Sequence, residues 1–119
     1  MNIGTPWGIA DSVRELAEGV YQVSTPSHGG IMVRRDSAAL VLSAEARKCN
    51  VYGGTHGGFG CYEEDCEWAF PMYEHPEWDR VNWTWRYPGL DEAACLVRTR
   101  EEAAEAIRHY SDTYAYKIA

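Results

Sequence analysis

The sequence predicts an α+β fold: a small antiparallel sheet, an N-terminal meander, packed against two to three helices in a single domain over residues 1–119. Three observations predict it. Short extended stretches punctuated by Gly and Pro fill the first 35 residues. Stretches of helical period occupy much of the remainder. A length of 119 residues suits one domain with a core that needs no disulfides, and neither an internal repeat nor a low-complexity linker divides it.

Residues 7–13, WGIADSV, and 19–25, GVYQVST, read as strands. In the second, Val20, Gln22 and Ser24 alternate with Tyr21, Val23 and Thr25, so each set faces one side of a sheet. RELAEG between them reads as a break with a glycine turn. TPSHGG interrupts the chain again with Pro26, Gly29 and Gly30, and IMVRR resumes as a third strand. Successive short strands joined by turns make an antiparallel meander. Residues 36–48 read as a helix capped by Asp36 or Ser37. The glycine run 53–60 reads as a loop. Residues 62–73 read as a second helix, because Tyr62, Cys66, Ala69, Phe70 and Tyr73 fall on one face. Residues 77–88 fit strand or helix. The last helix shows a capping-box pattern at Thr99 and Glu102, with Ala103, Ile107, Tyr110 and Tyr114 along one face.

The formal net charge of −7 argues against a protein that binds nucleic acid directly by neutralising phosphates. The charge is concentrated. Residues 61–79 hold Glu63, Glu64, Asp65, Glu67, Glu74, Glu77 and Asp79 without one Lys or Arg, whereas the other 11 acids balance the chain's 11 bases. Five Trp and eight Tyr against two Phe favour aromatics with polar handles, the kind enriched at interfaces. No stretch reaches the ~18–20 apolar residues of a membrane span, and MNIGTPWGIADSV lacks the basic and apolar regions of a signal peptide. Cys49, Cys61, Cys66 and Cys95 are therefore expected as reduced thiols in a cytoplasmic protein. No cofactor is expected.

CYEEDCEWAF, residues 61–70, carries the densest chemistry. If a helix starts there, its positive end stabilises Glu63, Glu64 and Asp65 by ~0.3–1 kcal/mol each. That leaves Glu74, Glu77 and Asp79 unexplained, since added like charges repel. A cluster kept against repulsion suits an acidic binding surface. In it Glu63, Glu64, Glu67, Glu74, Glu77 and Asp79 supply charge, and Trp68 and Trp78 are anchors. Zinc is a weaker alternative: Cys49, His56, Cys61, Cys66 and His75 are the right residue types, but no C-x2-C or H-x3-H pair exists. A Cys61 nucleophile with His28 or His56 as base has three carboxylates opposing its thiolate. STPSHGG, residues 24–30, reads either as a tight turn or as a loop presenting a catalytic His28 to Glu64, Asp65 or Cys66. GGTHGG lacks the Gly-Lys-Ser/Thr of a phosphate-binding loop.

Thr5–Gly8 (TPWG), Ser24–Gly30 (STPSHGG) and Tyr62–Ala69 (YEEDCEWA) together resemble a small uncharacterised domain family associated with phages, plasmids and other mobile elements. The resemblance covers about residues 5–70, and the glycine-rich segment with His56 and Cys49 lies outside its pattern. It implies a genomic setting rather than a mechanism. It also implies that Ser27, His28, Glu63, Glu64, Asp65 and Cys66 share one structural neighbourhood. The function expected is a small binding protein, an inhibitor of a host defence nucleoprotein complex of the anti-CRISPR or antirestriction kind, acting on a basic surface of a nucleic-acid-handling partner. The alternatives are a hydrolase-type enzyme built on His28 with Glu64, Asp65 or Cys66, and motifs that only join sheet to helix.

Overall fold

Alternation in the N-terminal third builds a sheet with two different faces. A computed structural model describes residues 4–36, 41–50, 57–110, 114 and 116–118. A two-stranded hairpin of β1 (Gly4–Thr5) and β2 (Gly8–Ile9) precedes a four-stranded sheet. That sheet comprises β3 (Ser12–Ala17), β4 (Val20–Ser24), β5 (Gly29–Arg34) and β6 (Phe59–Glu63), antiparallel throughout and in chain order. Val20, Ile31, Val33 and Tyr62 face the helices and join the main core. Val23, Met32 and Cys61 point the other way, onto Trp7 and Ala10. The α+β class and the meander are as expected.

The helical layer is α1 (Ala44–Lys48), α2 (Ala69–Glu74), a 3-10 helix (Pro76–Asn82), α3 (Trp83–Arg86) and α4 (Glu92–His109). Ala69, Phe70 and Met72 of α2, Trp78, and Ala103 and Ile107 of α4 meet the sheet in one apolar core.

Several boundaries differ from the sequence-based expectation, each for a local reason. RELAEG is not a break: β3 runs through Ala17 with a register shift between Glu15 and Ala17, and only Gly19, at φ 76°, makes the turn. The stretch expected as one helix over 36–48 is interrupted at Ser43. This residue is extended and caps α1 by accepting a hydrogen bond from the Ala46 N–H. Ser37–Leu40 lie outside the described residues, as does Ser37 as a cap. Of the loop expected at 53–60, residues 53–56 lie outside the described residues, and Phe59 and Gly60 are strand, paired with Arg34 and Val33.

The largest difference is at 59–63, where β6 replaces the start of a helix. Tyr62 is the reason. Strand geometry sends its ring into the core, where its hydroxyl donates to the Ala46 carbonyl at 2.8 Å. Residues 64–68 turn, and α2 begins only at Ala69. Of residues 77–88, those from 77 to 86 are helical, and Tyr87 and Pro88 turn. The Thr99–Glu102 pattern is not a cap: α4 starts at Glu92, and Asp91 Oδ1 accepts the Ala94 N–H at 2.8 Å. Thr99 is mid-helix and buried. Tyr114 lies beyond α4, its ring edge-on to Phe70 at 5.0 Å.

Candidate functional site

The turn before β5 and the end of β6 come together because two glycines remove the side chains between them. A Cβ on Gly30 would lie 2.2 Å from the Tyr62 carbonyl oxygen and 2.7 Å from the Trp7 ring. One on Gly29 would lie 2.6 Å from the Val23 oxygen and 3.2 Å from Glu64 Oε2. The glycines thus serve close approach, not the positive φ that a tight turn requires. Thr25, itself buried, fixes the preceding residue. Its hydroxyl donates to the His28 carbonyl at 2.7 Å and accepts the His28 N–H at 3.1 Å, and its own N–H donates to the same carbonyl.

On the facing strand, the Glu64 N–H donates to the Gly29 carbonyl at 3.0 Å. Glu63 Oε1 accepts the Asp65 N–H at 3.0 Å, and the Glu63 N–H donates to Glu67 Oε1 at 3.1 Å. The result is a cluster in which a His28 ring nitrogen and one oxygen each of Glu63 and Glu64 all lie within 4.8 Å of one another. His28 and Glu64 are exposed and Glu63 is half-buried. Burial raises the Glu63 carboxyl above the ordinary carboxylate range, against the Asp65 N–H, which lowers it.

Glu64 also lines a cleft of about 270 Å³ between the helix-facing side of the sheet and the helices. Gln22 and Ser24 contribute from β4, Trp68 and Met72 from the segment after β6, and Asp79, Asn82 and Arg86 from the helical turns beyond. Asp79 is only 2% exposed. It is held by the Asn82 amide at 2.8 Å, the Thr99 hydroxyl at 3.3 Å and Arg86 Nη1 at 3.2 Å. Trp83 Nε1–H in turn donates to Thr99 at 2.9 Å, and Asn82 donates to Gln22 at 3.0 Å. Burial raises the Asp79 carboxyl, while Asn82, Arg86 and Thr99 pull it down. The cleft therefore has a fixed polar floor, with Arg86 lining it beside Asp79.

The residues expected to form one acidic surface divide. Glu64, Asp65 and Glu77 are exposed. Glu67, Trp78 and Asp79 are buried, so they do not offer charge or an anchor to a partner. Their burial is possible because each finds partners: Tyr114 donates to Glu67 Oε2 at 2.5 Å, and Trp78 stacks on His75 at 4.3 Å. Glu74 is half-buried and accepts from the Ser43 N–H (2.8 Å), the Ser43 hydroxyl (2.5 Å) and the Tyr116 hydroxyl (2.6 Å). Trp68 is half-buried against the main core. Nor do Glu63, Glu64 and Asp65 occupy a helix's first turn; they end a strand and begin a turn, so no helix dipole accounts for them.

The zinc candidates are not brought together among the described residues. Cys49 belongs to the main core and Cys61 to the opposite face of the sheet, and Cys66 Sγ lies 3.9 Å from the Tyr114 hydroxyl. His56 lies outside the described residues. Burial pushes the Cys49 thiol up to about 11 and raises that of Cys66, which removes thiolate character from both. His75 is bound to Glu77 and the Val41 carbonyl. Of the hydrolase candidates, His28 and Glu64 meet; Asp65 and Cys66 are not in the cluster, and Glu63 takes their place.

A family model described as Domain of unknown function (DUF7007) matches residues 1–118. The chain belongs to this family. No curated protein and no solved structure matches it. The floor of the DUF7007 cleft was missed in the sequence because Asp79, Asn82 and Arg86 sit in a stretch that fits strand or helix equally. Their spacing of three and four, one helical face, was the available signal.

Proposed function

We propose that this DUF7007 domain is a hydrolase-type enzyme whose reacting groups are His28, Glu63 and Glu64 at the edge of the Asp79–Arg86 cleft. One observation carries the reading: two motifs 35 residues apart in sequence place an imidazole and two carboxylates within 4.8 Å, and one of these carboxylates lines the cleft. In the reaction, a water oxygen bonds to the electrophilic carbon or phosphorus of an ester. The water's proton passes to the cluster, the bond to the leaving oxygen breaks, and that oxygen takes the proton. Arg86 is placed to bind an anionic part of the substrate.

The test is a panel of carboxylic and phosphoric esters offered to the wild-type protein and to His28→Ala and Glu64→Gln. General acid–base groups contribute about 10²–10⁴-fold, so each variant is expected to lose at least about 10² in rate while keeping its circular dichroism. Hydrolysis undiminished in His28→Ala, or absent from the whole panel with wild type, overturns the reading.

A second reading keeps the acidic surface. It is favoured by the exposure of Glu64, Asp65 and Glu77 in a nineteen-residue stretch without a base. On it, the domain is carried by phages or plasmids and inhibits a host defence complex by occupying a basic, nucleic-acid-handling surface. A nuclease-treated pull-down from host lysate at low and high salt separates the two readings. Salt-sensitive capture of such a complex, lost when Glu64, Asp65 and Glu77 become Gln, supports the inhibitor.

A further inference from the structure

We infer that His28, Glu63 and Glu64 bind one divalent transition-metal ion, of the Mn²⁺ or Zn²⁺ class, beside the cleft that Glu64 lines. The inference rests on the hydrolytic reading and names the cofactor that this site takes.

The donor set comes first. One imidazole nitrogen and two carboxylate oxygens form a mixed N,O set of the kind that binds first-row divalent ions, and three protein ligands leave positions open, as catalytic sites do. Metal–ligand bonds of about 2.1 Å put neighbouring donors about 3.0–3.4 Å apart in tetrahedral or octahedral geometry. The donors here lie within 4.8 Å of one another, so side-chain rotations that move their tips by about 1–2 Å close the set.

Electrostatics is the second consideration. Two carboxylates held this close repel, and among the described residues no Lys or Arg forms an ion pair with either. A dication offsets that repulsion more fully than a histidine proton does. The backbone at His28 and one carboxylate are also held in place. Thr25 clamps the His28 backbone, the Asp65 N–H holds Glu63 Oε1, and the bare Gly29 leaves room for the Glu64 carboxylate. Support of this kind orients metal ligands. The cleft is the independent observation: it opens against Glu64 and is large enough for a small substrate group beside the ion. Arg86, paired with Asp79 at 3.2 Å, lines the same cleft.

Neither the cysteines nor His75 belongs to this site. It differs in that respect from the thiol-based zinc centre that the sequence suggests.

The experiment is calorimetric titration of metal-stripped full-length protein with Mn²⁺ and with Zn²⁺, repeated on His28→Ala, Glu63→Gln, Glu64→Gln and, as a control, Glu77→Gln. Wild type and Glu77→Gln are expected to bind one equivalent and to gain melting temperature from it. Each of the three ligand variants is expected to bind at least tenfold more weakly with an unchanged circular dichroism spectrum. No binding by wild type, or equal binding by the three variants, overturns the inference. Ester hydrolysis by metal-stripped protein that His28→Ala abolishes overturns the metal and leaves the hydrolase. Binding lost in His28→Ala, in a protein that hydrolyses nothing, does the reverse.

Discussion

The two halves of the acidic stretch, 63–65 and 67–79, are written in the same residues and do different work. In the first, Glu63 and Glu64 end a strand beside His28, at or near the surface, and among the described residues the donor that meets one of their carboxylates is the Asp65 N–H on Glu63. In the second, Glu67, Glu74 and Asp79 are met by tyrosine, serine, threonine, asparagine and arginine donors. A carboxylate is structural when the fold brings donors to it and available for chemistry when it does not. Charge density alone does not separate the two cases.

The sharpest way to break this comparison is to remove Asp79. Asp79→Ala strands Arg86, Asn82 and Thr99 around a vacated buried site, and loss of one partner from such a pair costs about 3–5 kcal/mol. Urea unfolding measures it; a change under about 1 kcal/mol means the network is idle. Next, Gly30→Ala puts a methyl 2.2 Å from the Tyr62 oxygen and is expected to cost about 1–3 kcal/mol or more, seen as a lower melting temperature. Tyr114→Phe leaves the buried Glu67 without its hydroxyl donor and is expected to cost about 1–3 kcal/mol. By contrast, Glu64→Gln at the exposed cluster is expected to move stability by no more than about 0.5 kcal/mol, while removing hydrolysis and metal binding. Equal losses of stability for Glu64→Gln and Tyr114→Phe erase the distinction.

The smallest effect is a pH dependence. Cys49 is raised from 9.0 to about 11 by burial and by the carboxylates of Glu67, Glu74 and Glu45. The folded protein therefore holds that proton more tightly than the unfolded chain does. The resulting stability is fully present below pH 9 and is lost as pH rises through about 11. Cys49→Ala flattens the fall in stability over that window; a slope equal to wild type shows that the thiol contributes nothing.

Much of the sheet was legible because its side chains alternate. Gln22 and Ser24 line the cleft and Val23 the opposite face, as the period of two in GVYQVST requires. The SHGG turn and YEEDC were legible as neighbours through the resemblance, and His28 does meet Glu63 and Glu64. What failed was local pattern against tertiary demand. Tyr62 to Tyr73 fits a helical face, yet the pull of Tyr62 into the core and onto Ala46 makes 59–63 a strand. Thr99 and Glu102 have capping-box spacing, yet Asp91 caps the helix and Thr99 serves the buried Asp79. Glu67 read as surface because its donor, Tyr114, is 47 residues away.

That last pairing has a temporal side. Tyr114 and Tyr116 pack on Phe70 and donate to Glu67 and Glu74, but they are made after every strand and helix described here. A chain made only as far as residue 110 already offers the Glu63 N–H to Glu67 and the Ser43 N–H and hydroxyl to Glu74, but not the two tyrosine hydroxyls, and burial makes a missing donor costly. Tyr114 and Tyr116 thus add donors to two acids that the strands and helices alone leave with fewer.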